Sequence, residues 1–95
     1  MSDQVAYSNN SGVIDTITSE STVITRVGGK RIMNLMITNT SANTGWFKFD
    51  GSTNWILLPA AATGSYTLYM KKITMTGDLV VKPGTGNPTV HATIW

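Results

Sequence analysis

Clusters of turn-forming residues punctuate the whole chain, and the intervals between them are too short for anything but strands. These clusters are Asn9-Asn10-Ser11-Gly12, Gly28-Gly29, the Asn-rich stretch from Asn39 to Asn43, Asp50-Gly51, Pro59, Thr63-Gly64, Gly77-Asp78 and the series from Pro83 to Pro88. Between them lie residues 13–18, 22–26, 31–38, 46–50, 54–58, 66–71, 79–82 and 89–95, most with alternating apolar and polar side chains. A period of two marks a strand with one buried face. In the most hydrophobic interval Met33, Leu35 and Ile37 share a face, and Asn34 interrupts the other. Helix is the rival reading there, but a short run closed by Thr-Asn-Thr-Ser-Ala-Asn favours a strand. Residues 72–76 extend the 66–71 strand through a bend. Ala60-Ala61-Ala62 is the one helix-friendly stretch, and Thr63-Gly64 ends it at once, so it reads as a loop.

The expected fold is therefore all-β: a compact antiparallel β-sandwich or barrel, jelly-roll or immunoglobulin-like, of about seven to eight short strands. Composition agrees. Fifteen Thr, eight Ser and seven Asn stand among 95 residues, with a single Glu and a single Gln. Thr fits a pleated surface and Ser and Asn favour turns, whereas the residues that hold exposed helices together are scarce. Residues 13–95 read as one β-sandwich domain. Residues 1–12 read as an N-terminal arm or edge segment, polar except for Val5, Ala6 and Tyr7.

Chemical sites are hard to assemble from this inventory. Cysteine is absent, which removes disulfides, thiolate metal sites and thiol catalysis. With no signal-like start, synthesis in a reducing cytoplasm is expected. His91 is the sole histidine; a triad would need it beside an activated hydroxyl and an acid, and a strand histidine facing solvent or a subunit is the plainer reading. The carboxylates Asp3, Asp15, Glu20, Asp50 and Asp78 are dispersed and mostly adjoin turn residues. Asp50-Gly51-Ser52 lacks the further acids of a calcium loop, and Gly28-Gly29-Lys30-Arg31 lacks Walker spacing. No catalytic residue, metal or cofactor is expected. The sequons at Asn9 and Asn39 read as chance matches in a Ser/Thr-rich chain.

Binding is better served. The chain carries 13% charged residues and a net charge of +2. Its faces are uncharged and cost little to dehydrate against a neighbour. The bases Lys30-Arg31 and Lys71-Lys72 make a weak electrostatic footprint, so nucleic acid is not an expected partner. No apolar run approaches the ~18 residues of a membrane-spanning helix, so a membrane is not expected either. Adjacent Trp46 and Phe47 must face opposite sides of a strand, leaving one outside the main core. The aromatics could form a platform for sugar rings, or fill a thin core. Val5, Tyr7, Trp46, Trp55, Tyr69 and Trp95 are the candidate interface residues.

Ile37-Thr38-Asn39-Thr40-Ser41-Ala42-Asn43, followed by Trp46-Phe47-Lys48-Phe49-Asp50-Gly51, resembles a pattern in small tailed-phage virion proteins. There a strand reading I-x-N-T leads through an Asn-rich turn into an aromatic strand closing on Gly or Asp-Gly. Leu58-Pro59-Ala60 before Ser65-Tyr66-Thr67-Leu68 is similar to another stretch of those proteins, with alanines in place of the usual Gly. Gly84-Thr85-Gly86-Asn87 leading to Val90 and Ile94-Trp95 is similar to their closing strand. The resemblance covers residues 31–95. It implies a non-enzymatic capsid decoration or cement protein that binds the major capsid protein or another virion protein. Such a protein is made in the host cytoplasm, resides in the virion and forms a homo-oligomer, plausibly a trimer. The alternative is a carbohydrate- or receptor-binding β domain of a virion fibre or spike.

Overall fold

A computed structural model describes residues 11–25 and 31–95. Among these residues eight strands follow one another: β1 (Ser11–Ile14), β2 (Ser21–Ile24), β3 (Arg31–Asn39), β4 (Gly45–Phe49), β5 (Ile56–Leu58), β6 (Tyr66–Met75), β7 (Leu79–Pro83) and β8 (Val90–Ile94). The pairings nest. β1 lies antiparallel to β8, β2 to β7, β3 to β6 and β4 to β5, as in one long hairpin folded at β4–β5. Rolling that hairpin sets β3 on β8 and β4 on β7 and gives two four-stranded sheets. The first runs β1-β8-β3-β6 and the second β2-β7-β4-β5, the connectivity of an eight-stranded jelly roll.

Alternation places the core between the sheets. Leu35 and Ile37 of β3 and Val90 and Ile94 of β8 face Phe47 of β4 and Leu79 and Val81 of β7, all but free of solvent. Burying a side chain such as Phe47 contributes about 2–3 kcal/mol, and a core of this thickness depends on a few of them. Phe47 is inside and Trp46 outside, as their adjacency in a strand requires. Where β1 and β2 close one side, a Cβ on Gly12 would lie 2.0 Å from the Val23 carbonyl oxygen, so only glycine fits.

Several boundaries differ from the alternation. The 13–18 interval begins earlier and is strand only to Ile14; the chain then leaves the ladder so that Ile17 is fully buried while its amide donates to the Pro88 carbonyl. Ser11 and Gly12, read from sequence as the end of an N-terminal arm or edge segment, belong to β1, at the edge of the first sheet; residues 1–10, with Val5 and Tyr7, lie outside the described residues. Residues 54 and 55 precede β5. The bend at residues 71–72 is a β-bulge in a continuous β6: Lys72 has φ 54°, and its amide donates to the Asn34 side-chain oxygen at 3.2 Å.

Candidate functional site

Each sheet turns its second set of side chains outward, and these two faces are the surfaces the fold offers. On the first sheet the register lays out rows. Tyr69, Met36, Thr93 and Ser11 form one, and Thr67, Thr38, His91 and Val13 the next. Trp95 sits opposite Asn34 through a reciprocal pair of backbone hydrogen bonds, and Ile32 sits opposite Thr74. Four large apolar side chains on this face are open to water: Ile32 is 73% exposed, Tyr69 58%, Val13 55% and Trp95 53%. The Tyr69 and Trp95 rings meet across β3, edge to face, with centroids 6.1 Å apart and an interplanar angle of 88°. Such a pair contributes about 0.5–1.5 kcal/mol and holds both rings in place without removing them from solvent. The Thr38 and Thr67 hydroxyls share a hydrogen bond of 2.9 Å. His91 is the one histidine, exposed between Thr38 and Val13, and no carboxylate stands beside it in the register.

On the second sheet Trp46 lies between Leu57 of β5 and Lys82 of β7, and Lys48 lies opposite Val80. Trp55, just before β5, has the Lys82 ammonium 4.4 Å and the Lys48 ammonium 4.8 Å from its ring centre. Both lysines point their charge at the electron-rich ring while their stems cover apolar surface. Trp46 and Trp55 are consequently half-buried.

The interface residues expected from sequence thus divide. Tyr69 and Trp95 come together on the first sheet, while Trp46 and Trp55 lie on the outer face of the second. The four do not make one platform, and a perpendicular ring pair is not the flat stack that a row of sugars would need. Ile32, Val13 and Met36 complete the exposed face and were not singled out from sequence. Their signal was available in the parity of β3, since Ile32 and Met36 alternate with the buried Leu35 and Ile37.

The Asn-rich turn is structural. Asn39 is fully buried, and its amide nitrogen donates to the Asn43 carbonyl at 2.7 Å and the Pro59 carbonyl at 3.1 Å. Its amide oxygen accepts from the Ser41 amide and hydroxyl, both at 2.9 Å. A side chain so occupied is closed to glycosylation in the folded protein, while the Asn9 sequon lies outside the described residues. Asp50-Gly51 is a turn with Gly51 at φ 95°, held by the Ser52 amide on the Phe49 carbonyl and the Thr76 hydroxyl on the Asp50 carbonyl. Among the described residues no three of His, Asp and Glu gather as a metal site would require, and no helix is long and apolar enough to cross a membrane.

The open side of the sandwich, between β5 and β6, holds an apolar cleft of about 180 Å³ lined chiefly by Phe47, Phe49, Ile56, Met70 and Ile73. It is small, and Lys48, Ser52, Asn54 and Thr74 complete its walls. Comparison with models of known protein families, with curated proteins and with solved structures found no match to this chain.

Proposed function

We propose that this protein works by adhesion, as a homo-oligomeric capsid decoration or cement protein that binds the major capsid protein of a tailed phage and stabilises the particle. The observation that carries the adhesive part is the outer face of the first sheet. Four large apolar side chains there stand in water on a ladder whose other members are mainly Thr, Ser and Asn. Exposed apolar surface of this kind marks a site for association. The polar groups around it are neutral, so their dehydration costs little. The virion part rests on the resemblance of residues 31–95 and on the jelly-roll connectivity, an architecture used by viral capsid domains and also by lectins. A capsid repeats its surface, so a weak contact per copy becomes tight when several copies are linked.

Co-sedimentation with phage heads assembled from a major capsid protein encoded beside this chain tests the reading. The intact chain should pellet with heads, and Tyr69→Ser/Trp95→Ser should stay in the supernatant while remaining folded. The exposed Trp95 ring, on the same face as the Thr38 and Thr67 hydroxyls two rows away, gives the carbohydrate-binding reading its support. Retention on a glycan array without any binding to heads would replace the first reading with that one.

A further inference from the structure

We infer that β6 is a self-pairing edge, on which two copies of the chain join antiparallel about a two-fold axis at Leu68. This contact stands apart from the virion reading and would hold whatever the oligomer binds. Among the described residues β6 has a ladder partner on one side only, β3, and its ten residues make it by far the longest sheet edge there. The other edge strands, β1, β2 and β5, have four, four and three residues. A long free edge presents a row of backbone donors and acceptors, and proteins usually blunt such edges with lysines, proline or a bulge. Here Lys71, Lys72 and the bulge guard only the distal half. Tyr66-Thr67-Leu68-Tyr69-Met70 carries no charge, proline or glycine.

The limits of the regular backbone fix the register. Gly64, at φ 70°, and Lys72, at φ 54°, interrupt extended geometry on either side. Residues 65–71 lie between them, and their midpoint is Leu68. Pairing about that point sets Tyr66 opposite Met70 of the second copy and Thr67 opposite its Tyr69. Lys71 meets Ser65 of the second copy, so no lysine faces another. Tyr66, Leu68 and Met70 stand opposite the buried Asn39, Ile37 and Leu35, which puts them on the side facing the other sheet. Tyr66, 38% exposed in a single chain, would therefore arrive beside Met70 of the second copy, at the mouth of the apolar cleft. Aromatic rings pack well on a thioether, and cross-strand pairs of this kind stabilise a ladder. The occupant favoured by these matches is another copy: the same segment supplies the ring, the thioether at the cleft mouth that receives it and the uncharged edge.

A charge-swap pair tests the register. Thr67→Lys/Tyr69→Lys places lysine opposite lysine twice across the axis, whereas Thr67→Lys/Tyr69→Glu places lysine opposite glutamate twice. Both variants lose the same ring, and both substituted positions face outward, so circular dichroism should show each folded. Sedimentation of the intact protein should give a dimer contact that the first variant weakens about tenfold or more and the second largely retains. Mixed Thr67→Cys and Tyr69→Cys chains, in a protein with no other cysteine, should cross-link to each other in preference to themselves. A monomer at millimolar concentration, equal weakening by the two charge variants, a three-fold assembly without the 67–69 cross-link, or edge pairing seen only with a different protein would each overturn the inference.

Discussion

The outer faces of the two sheets begin from similar material and end differently. Each carries two large aromatic residues, Tyr69 and Trp95 on the first and Trp46 and Trp55 on the second. On the second sheet Trp55 lies within 5 Å of two ammonium groups, and the lysine stems share its apolar surface. On the first sheet Trp95 has Tyr69 against it edge-on and remains half in water. Burial of a surface tryptophan is thus decided by the neighbours that the register supplies. Lysines beside a ring cover it with side chains of the same molecule, although Leu57 on that face stays 45% exposed; an edge-to-face ring pair leaves Trp95 open for another.

The largest effect available tests whether one scaffold supports both faces. Asn39→Ala removes four hydrogen bonds in a buried site and takes a partner from the Ser41 amide and the Pro59 carbonyl, while the Asn43 carbonyl keeps the Ser41 hydroxyl. It should cost about 3 kcal/mol or more, read as a lowered urea midpoint with both tryptophan environments melting together. If the two faces melted apart, their shared dependence on this turn would be refuted. Next comes the contrast itself. Trp55→Ala should destabilise by about 2 kcal/mol, from lost burial and two cation–π contacts. Trp95→Ala should cost about 1 kcal/mol or less, since half of its surface is already solvated. Equal losses in thermal melts would erase the distinction drawn between the faces. The smallest effect sharpens it: Lys82→Gln should cost about 0.5 kcal/mol and increase quenching of Trp55 by a neutral quencher such as acrylamide, leaving Trp95 unchanged.

Much of the fold was legible because strand chemistry is local. The parity of Met33, Leu35 and Ile37 named the inner face of β3, and Asp50-Gly51 and Gly77-Asp78 named two turns. Adjacency alone put Phe47 inside and Trp46 out. The same parity marked Ile32 as outward, yet an outward isoleucine in a nine-residue strand gives no sign of how much company it will have. Asn39 read as a turn residue, and nothing in its neighbours told that Pro59, twenty positions away, would take one of its amide protons.

The candidate site was less legible for the same reason. Tyr69 and Trp95 are 26 positions apart and meet only because β3 lies between β6 and β8. Lys48 and Lys82 flank one ring only because β4 pairs with β7.

What the amino acids settled unaided was the set of strands, their punctuation and the side of each that shuns water, since a two-residue period and a turn are properties of short stretches. Which strands became neighbours, and so which aromatic rings were covered and which strands came to lie outermost among the described residues, was decided when the long hairpin rolled into two sheets. That closure depends on the packing of residues far apart in the chain, and local alternation carries no record of it.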